Sequence, residues 1–117
     1  MGWFSKSDDT FFLSTVHPDG QAAKVERYLG VVNGEAIIGA NIFRDLFSSV
    51  RDVVGGRAGG YERALAGARK AALADMVEAA REMGANGVIG VSFDYAVLGE
   101  NNGMMLVSVS GTAVKVG

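Results

Sequence analysis

The sequence predicts a small α+β domain, a β-β-α-α-β-β chain in which an antiparallel sheet packs on one long helix. Three observations predict it. Apolar residues recur at steps of three and four from Tyr61 to Met83; runs alternating with period two flank that stretch on both sides; and turn chemistry separates those runs. The chain has 117 residues, 49% of them hydrophobic and 21% charged. That is one domain's worth, able to bury roughly two-thirds of the surface its unfolded form exposes. Residues 1–9 read as a mobile tail and 10–117 as a single domain.

Thr10 to Val16 reads as the first strand. His17-Pro18-Asp19-Gly20 is turn chemistry, with proline presetting φ and glycine closing a type I turn, so a hairpin to the next strand is expected. Lys24 to Ile38 is the second extended stretch, with Val25, Arg27, Leu29 and Val31 alternating with Glu26, Tyr28, Gly30 and Val32. Asn33-Gly34 marks either a bend or a bulge in it.

A short helix over about 42–53 follows, since Phe43, Leu46, Phe47, Val50 and Val54 share one stripe, with Asn41 as its N-cap. Gly55-Gly56-Arg57-Ala58-Gly59-Gly60 ends it in a flexible joint. The long helix spans Tyr61 to Met83, with Tyr61, Leu65, Ala68, Ala72, Met76, Ala79 and Met83 on one face. A second row of Leu73, Val77 and Ala80 widens the apolar arc enough to reach a second neighbour. Gly84 is placed to end this helix in a left-handed turn.

From Val88 to Leu98 period two returns, with Ile89, Val91, Phe93, Tyr95 and Val97 on one face and Ser92 and Asp94 on the other. Glu100-Asn101-Asn102-Gly103 supplies turn residues, so a hairpin leads to the last strand, Met104 to Val116, in which Gly111 marks a bulge or a close approach. Four strands leave long edges, and self-assembly is the simplest cover for them.

Composition narrows the function classes. Lys and Arg number 11 against 13 Asp and Glu, so there is no basic footprint for nucleic acid. No run approaches a membrane span. The start turns acidic after Trp3 and Phe4, unlike a secretion signal, and Lys6 breaks the myristoylation pattern. The chain has no cysteine, hence no disulfide, thiolate metal site or thiol nucleophile, and a cytoplasmic location is the expectation.

The stretches Tyr28 to Asp45, Arg51 to Arg57, Tyr61-Glu62, Gly84-Ala85-Asn86, Phe93-Asp94-Tyr95 and Met105 to Val114 together resemble the bacterial YbjQ-like family, described as putative heavy-metal-binding. The resemblance covers nearly everything after residue 10. It implies a YbjQ-like subunit similar to dodecin-like folds, assembled as a pentameric ring. This sequence departs from the family where some relatives carry a cysteine, here Leu29, and where many carry a glutamate, here Ala96.

Two kinds of chemistry have candidates. Arg44, Arg51 and Arg57, with Tyr61 beside them, form a set able to grip a carboxylate or phosphate, because guanidinium binds such groups in a planar fork and a helix start favours anions. The plainer reading of the same residues is a charged solvated face or a row of subunit-contact ion pairs, with a structural joint at the glycines. Asp45, Asp52, Glu62 and Asp94, gathered from different segments or subunits, would make a hard-oxygen site for a divalent ion such as magnesium or calcium. His17 has no second histidine to pair with and reads as a solvent-facing turn residue. No serine pairs with a histidine and no carboxylates are spaced as acid and base, so no enzyme is predicted. The functional expectation is a homo-oligomeric binding or structural module, with a carboxylate metal-binding protein as the alternative.

Overall fold

The structure, a computed structural model, describes residues 11–20, 23–39, 57–98 and 104–117. The expected short helix, the mobile tail and the Glu100–Gly103 turn lie outside them. The described elements are β1 (Phe12–Leu13), β2 (Val25–Ile38), α1 (Arg57–Glu82), β3 (Gly87–Leu98) and β4 (Met104–Val116). They form one four-stranded sheet in the order β1-β3-β4-β2, with α1 on one face.

The sheet is mixed rather than antiparallel, because β1 does not form the expected hairpin with β2. It pairs parallel with the start of β3 instead, through Phe12 N–H to the Asn86 carbonyl (2.9 Å), Ser14 N–H to the Val88 carbonyl (3.1 Å) and Val91 N–H to the Ser14 carbonyl (3.1 Å). His17-Pro18-Asp19-Gly20 does not close as the expected turn: only Gly20 bends, at φ +94, and β2 lies at the opposite edge of the sheet from β1. The second expected pairing holds: β3 and β4 run antiparallel from Gly87↔Val114 to Leu98↔Met104.

Helix α1 begins four residues before Tyr61, so Gly59 and Gly60 lie inside the helix and not in a joint. Each glycine costs roughly 1 kcal/mol there, a cost offset by the burial of Ala68, Ala72, Leu73, Met76, Val77 and Ala80. The row expected to reach another neighbour, Leu73, Val77 and Ala80, is consumed in the chain's own core, as is the first row from Leu65 to Ala79, whereas Met83 is 41% exposed. The helix ends in a Schellman motif: Ala85 N–H donates to the Ala80 carbonyl (3.0 Å) and Gly84 N–H to the Arg81 carbonyl (2.9 Å), with Gly84 at φ +87.

The core lies between α1 and the sheet, where Val32 and Ile38 of β2, Val88 of β3 and Val107, Val109 and Ala113 of β4 meet the helix. Two irregularities set this phase. In β2 the register shifts between Tyr28 and Gly30, turning Leu29 and Val32 inward and leaving Val31 80% exposed. In β3, Gly90 (φ +65) and Val91 oppose Gly111 as a bulge, so Val88 faces the helix on one side of it and Val91 and Phe93 on the other, while Ile89 drops out of the expected row. Gly111 is the close approach: a Cβ there would come 2.5 Å from a Val88 methyl. Asn33-Gly34 neither bends nor bulges β2, whose pairing with Ser110 and Val109 runs straight through it. Among the described residues no helix is long and apolar enough to cross a membrane.

Candidate functional site

The sheet face turned away from α1 carries the polar side chains. Cross-strand partners share a face, so the registers of β3, β4 and β2 build rows across it: Ser92–Ser110–Asn33, and beside it Asp94–Ser108–Glu35. All six are exposed except half-buried Ser108. Strands lie about 4.8 Å apart, which puts the Glu35 and Asp94 backbones about 10 Å apart with Ser108 between them. Apolar rows bound this band, Ile89–Thr112–Val31 on one side and Ala96–Leu106–Ile37 on the other.

Of the predicted site residues, Arg44, Asp45, Arg51 and Asp52 lie outside the described residues. Arg57 and Tyr61 belong to the opening turns of α1. Glu62 is exposed on α1 and Asp94 is exposed on the opposite side of the sheet, so one chain does not bring these two carboxylates together. Asp94 is joined instead by Glu35, a partner that only the strand register reveals. Among the described residues no three histidine, cysteine, aspartate or glutamate side chains gather as a metal-binding group.

Three further polar contacts escape a reading of the sequence. His17 Nε2 lies 2.6 Å from the Tyr28 hydroxyl, so this exposed histidine is tied to β2. Arg69 donates to the Tyr95 hydroxyl at 3.4 Å, reaching from α1 over the part of β3 that the helix leaves open. Asp75 accepts the Glu35 backbone N–H at 3.3 Å, which shows that this N–H points to the outer side of β2, away from β4. Each contact joins residues at least 11 positions apart.

A family described as "Putative heavy-metal-binding", YbjQ-like in name, matches residues 13–117. The chain belongs to that family. Its fold is also similar to a crystal structure of a protein of unknown function of the DUF74 family from Pediococcus pentosaceus, at a TM-score of 0.56 and 14% identity, over 92% of this chain and 98% of that one.

This YbjQ-like chain offers a soft heavy metal no thiolate. It has no cysteine and one histidine, whose Nε2 already meets Tyr28. The two positions of departure lie on opposite faces: Leu29 packs against the core on the helix side, and Ala96 is exposed in the row with Leu106 and Ile37 on the other. A thiolate at the first and a carboxylate at the second would not share a site within one subunit.

Proposed function

We propose that this YbjQ-like protein is a homo-oligomeric binding or structural module, its identical subunits closed into a pentameric ring. The observation that carries the reading is the open sheet face. An antiparallel face that stays in water is expected to be polar throughout, yet Tyr28 is 62%, Val31 80% and Ile37 55% exposed here. Exposed apolar groups on this scale, rimming a polar band, fit a surface that another protein covers. The family resemblance supports the same protein as that partner. Size-exclusion chromatography with light scattering tests it: a particle of pentameric mass is expected, and a monomer of 12.2 kDa at all concentrations overturns it.

The second reading, a hard divalent cation held by carboxylates, draws on the Asp94–Ser108–Glu35 row. Oxygen donors of this kind suit calcium or magnesium, with the remaining ligands coming from elsewhere in the assembly. Titration of the assembled protein with each ion, repeated on Asp94→Asn, tests it. Binding that Asp94→Asn leaves unchanged removes the row from the site.

A further inference from the structure

We infer that the open edge of β3, from Phe93 to Val97, takes up an extended peptide as an added strand and holds a carboxylate of that peptide on Arg69. This site lies on the side of the sheet that carries α1, separate from the open polar face on the other side, and it does not depend on the oligomeric reading.

The backbone makes the first half of the site. Strand β1 covers β3 only at its start, where Val91 N–H donates to the Ser14 carbonyl and the pairing ends. Backbone groups alternate between the two sides of a strand, so Phe93, Tyr95 and Val97 turn their N–H and C=O groups to the same side as Val91, away from β4. The far strand gives the same phase. Glu35 N–H points away from β4, so its partner Ser108 bonds toward β3 at Asp94, and the residues on either side of Asp94 face outward. Among the described residues nothing pairs with these outward groups. An unpaired edge of this kind is a template for strand addition. The two edges of the sheet differ here, since on β2 the Asp75 carboxylate already takes an outward N–H.

Side chains make the second half. Tyr95 and Val97 stand across from Val107 and Met105, which pack on the helix side, yet they are 47% and 64% exposed because α1 lies over β2 and β4 and leaves β3 uncovered. Arg69 reaches this shelf from α1 and is half-buried, with one long hydrogen bond, to the Tyr95 hydroxyl at 3.4 Å. Its neighbours one turn away on the helix are Leu65, Ala66, Ala72 and Leu73, and Asp94 lies on the opposite face of the sheet. The first carboxylate along its side of α1, Glu62, is two turns off, about 10 Å along the axis. A half-buried guanidinium without a counter-charge favours an incoming carboxylate, which it grips with its planar fork. A strand laid along the edge sets alternate side chains on the shelf. An acidic one level with Tyr95 meets Arg69, and apolar ones two positions before and after it rest on Phe93 and Val97. The partner is therefore a segment patterned apolar, any, acidic, any, apolar. A second copy docking by the same edge about Tyr95 would set Arg69 against Arg69, and one docking by β2 would have to displace Asp75.

The probe is the fluorescein-labelled peptide Thr-Val-Thr-Glu-Thr-Val-Thr, blocked at its chain end, whose pattern reads the same in either strand direction. Hydrogen exchange of the free protein should show the Phe93, Tyr95 and Val97 amides exchanging faster than those of Asp94 and Ala96. Slow exchange there would mean that the edge is already covered, by this chain or by another copy, and overturns the inference. Peptide at about 1 mM should then slow exchange at those amides and leave the β2 edge unchanged. In fluorescence anisotropy, a peptide with lysine in place of its glutamate should bind at least about tenfold more weakly. Arg69→Gln should erase that preference and Arg69→Glu reverse it, with the circular dichroism spectrum unchanged in both. No binding at about 1 mM, equal affinity for the two peptides, or a preference that survives Arg69→Gln overturns the inference.

Discussion

Gly34 of β2 lies against the backbone of Ala72 in α1: a Cβ on Gly34 would run into the Ala72 carbonyl oxygen and come within 2.6 Å of the Met76 amide nitrogen. Both obstacles are main-chain atoms of a helix and cannot rotate aside. The close approach is what lets Ala72 and Met76 reach full burial. Gly34→Ala should therefore lower stability by at least about 2 kcal/mol, read as a lower denaturant midpoint. An unchanged midpoint would mean that the helix rides higher on the sheet.

Gly84 terminates α1 at φ +87, where a side chain is disfavoured but nothing lies within 4 Å to block it. Only backbone strain should count. Gly84→Ala should cost about 1–2 kcal/mol, seen as a drop in thermal midpoint, and Gly84→Asn should recover part of it because asparagine tolerates this region better. Equal losses for the two would point away from backbone strain.

Asn86 holds the end of β4 with both ends of its amide: Nδ2 donates to the Val116 carbonyl at 2.9 Å and Oδ1 accepts the Val116 N–H at 2.8 Å. Asn86→Ala should strip both bonds, with a loss of about 1–3 kcal/mol and faster hydrogen exchange at the Val116 amide than at Val107. Unchanged protection at Val116 would show that the side chain does not hold the strand.

Soft-metal binding should fail for want of donors. Calorimetric titration of the untagged protein with zinc, copper and cadmium is expected to give no stoichiometric sub-micromolar site, since thiolate is absent and the chain has one imidazole. Tight stoichiometric binding would show that the assembly gathers ligands that a single chain does not.

The pattern of the sequence carried the elements further than it carried their partners. The helix and its two apolar rows, the paired β3 and β4, and the role of Gly84 follow from spacing alone, because each depends on residues close in sequence. The place of β1 does not: a two-residue strand has no periodicity, and its parallel pairing with β3 is decided by Phe12 and Ser14 meeting Asn86 and Val88 across more than 70 positions. The facing of Val31 and Ile89 was equally hidden, since one extra residue at each irregularity inverts every side chain beyond it. Adjacent apolar pairs, Val31-Val32 and Val88-Ile89, fit either phase, and only the positive φ of Gly30 and Gly90 marks where the phase changes. The polar rows depend on those registers, so Asp94 could be named from the sequence as a candidate, whereas its companionship with Glu35 could not.

The Asp75 carboxylate that takes the Glu35 N–H has a consequence for how this protein behaves in a crowded solution. Strand β2, 14 residues long, is the outer strand of the sheet, the kind of template on which amyloid-like stacking begins. A foreign strand trying to extend the sheet there would have to displace Asp75 to reach a donor near the middle of the edge, and would leave a carboxylate to be accommodated beside it. The helix thus guards the sheet's growing end as well as packing its core, and growth by association is steered away from strand-on-strand propagation.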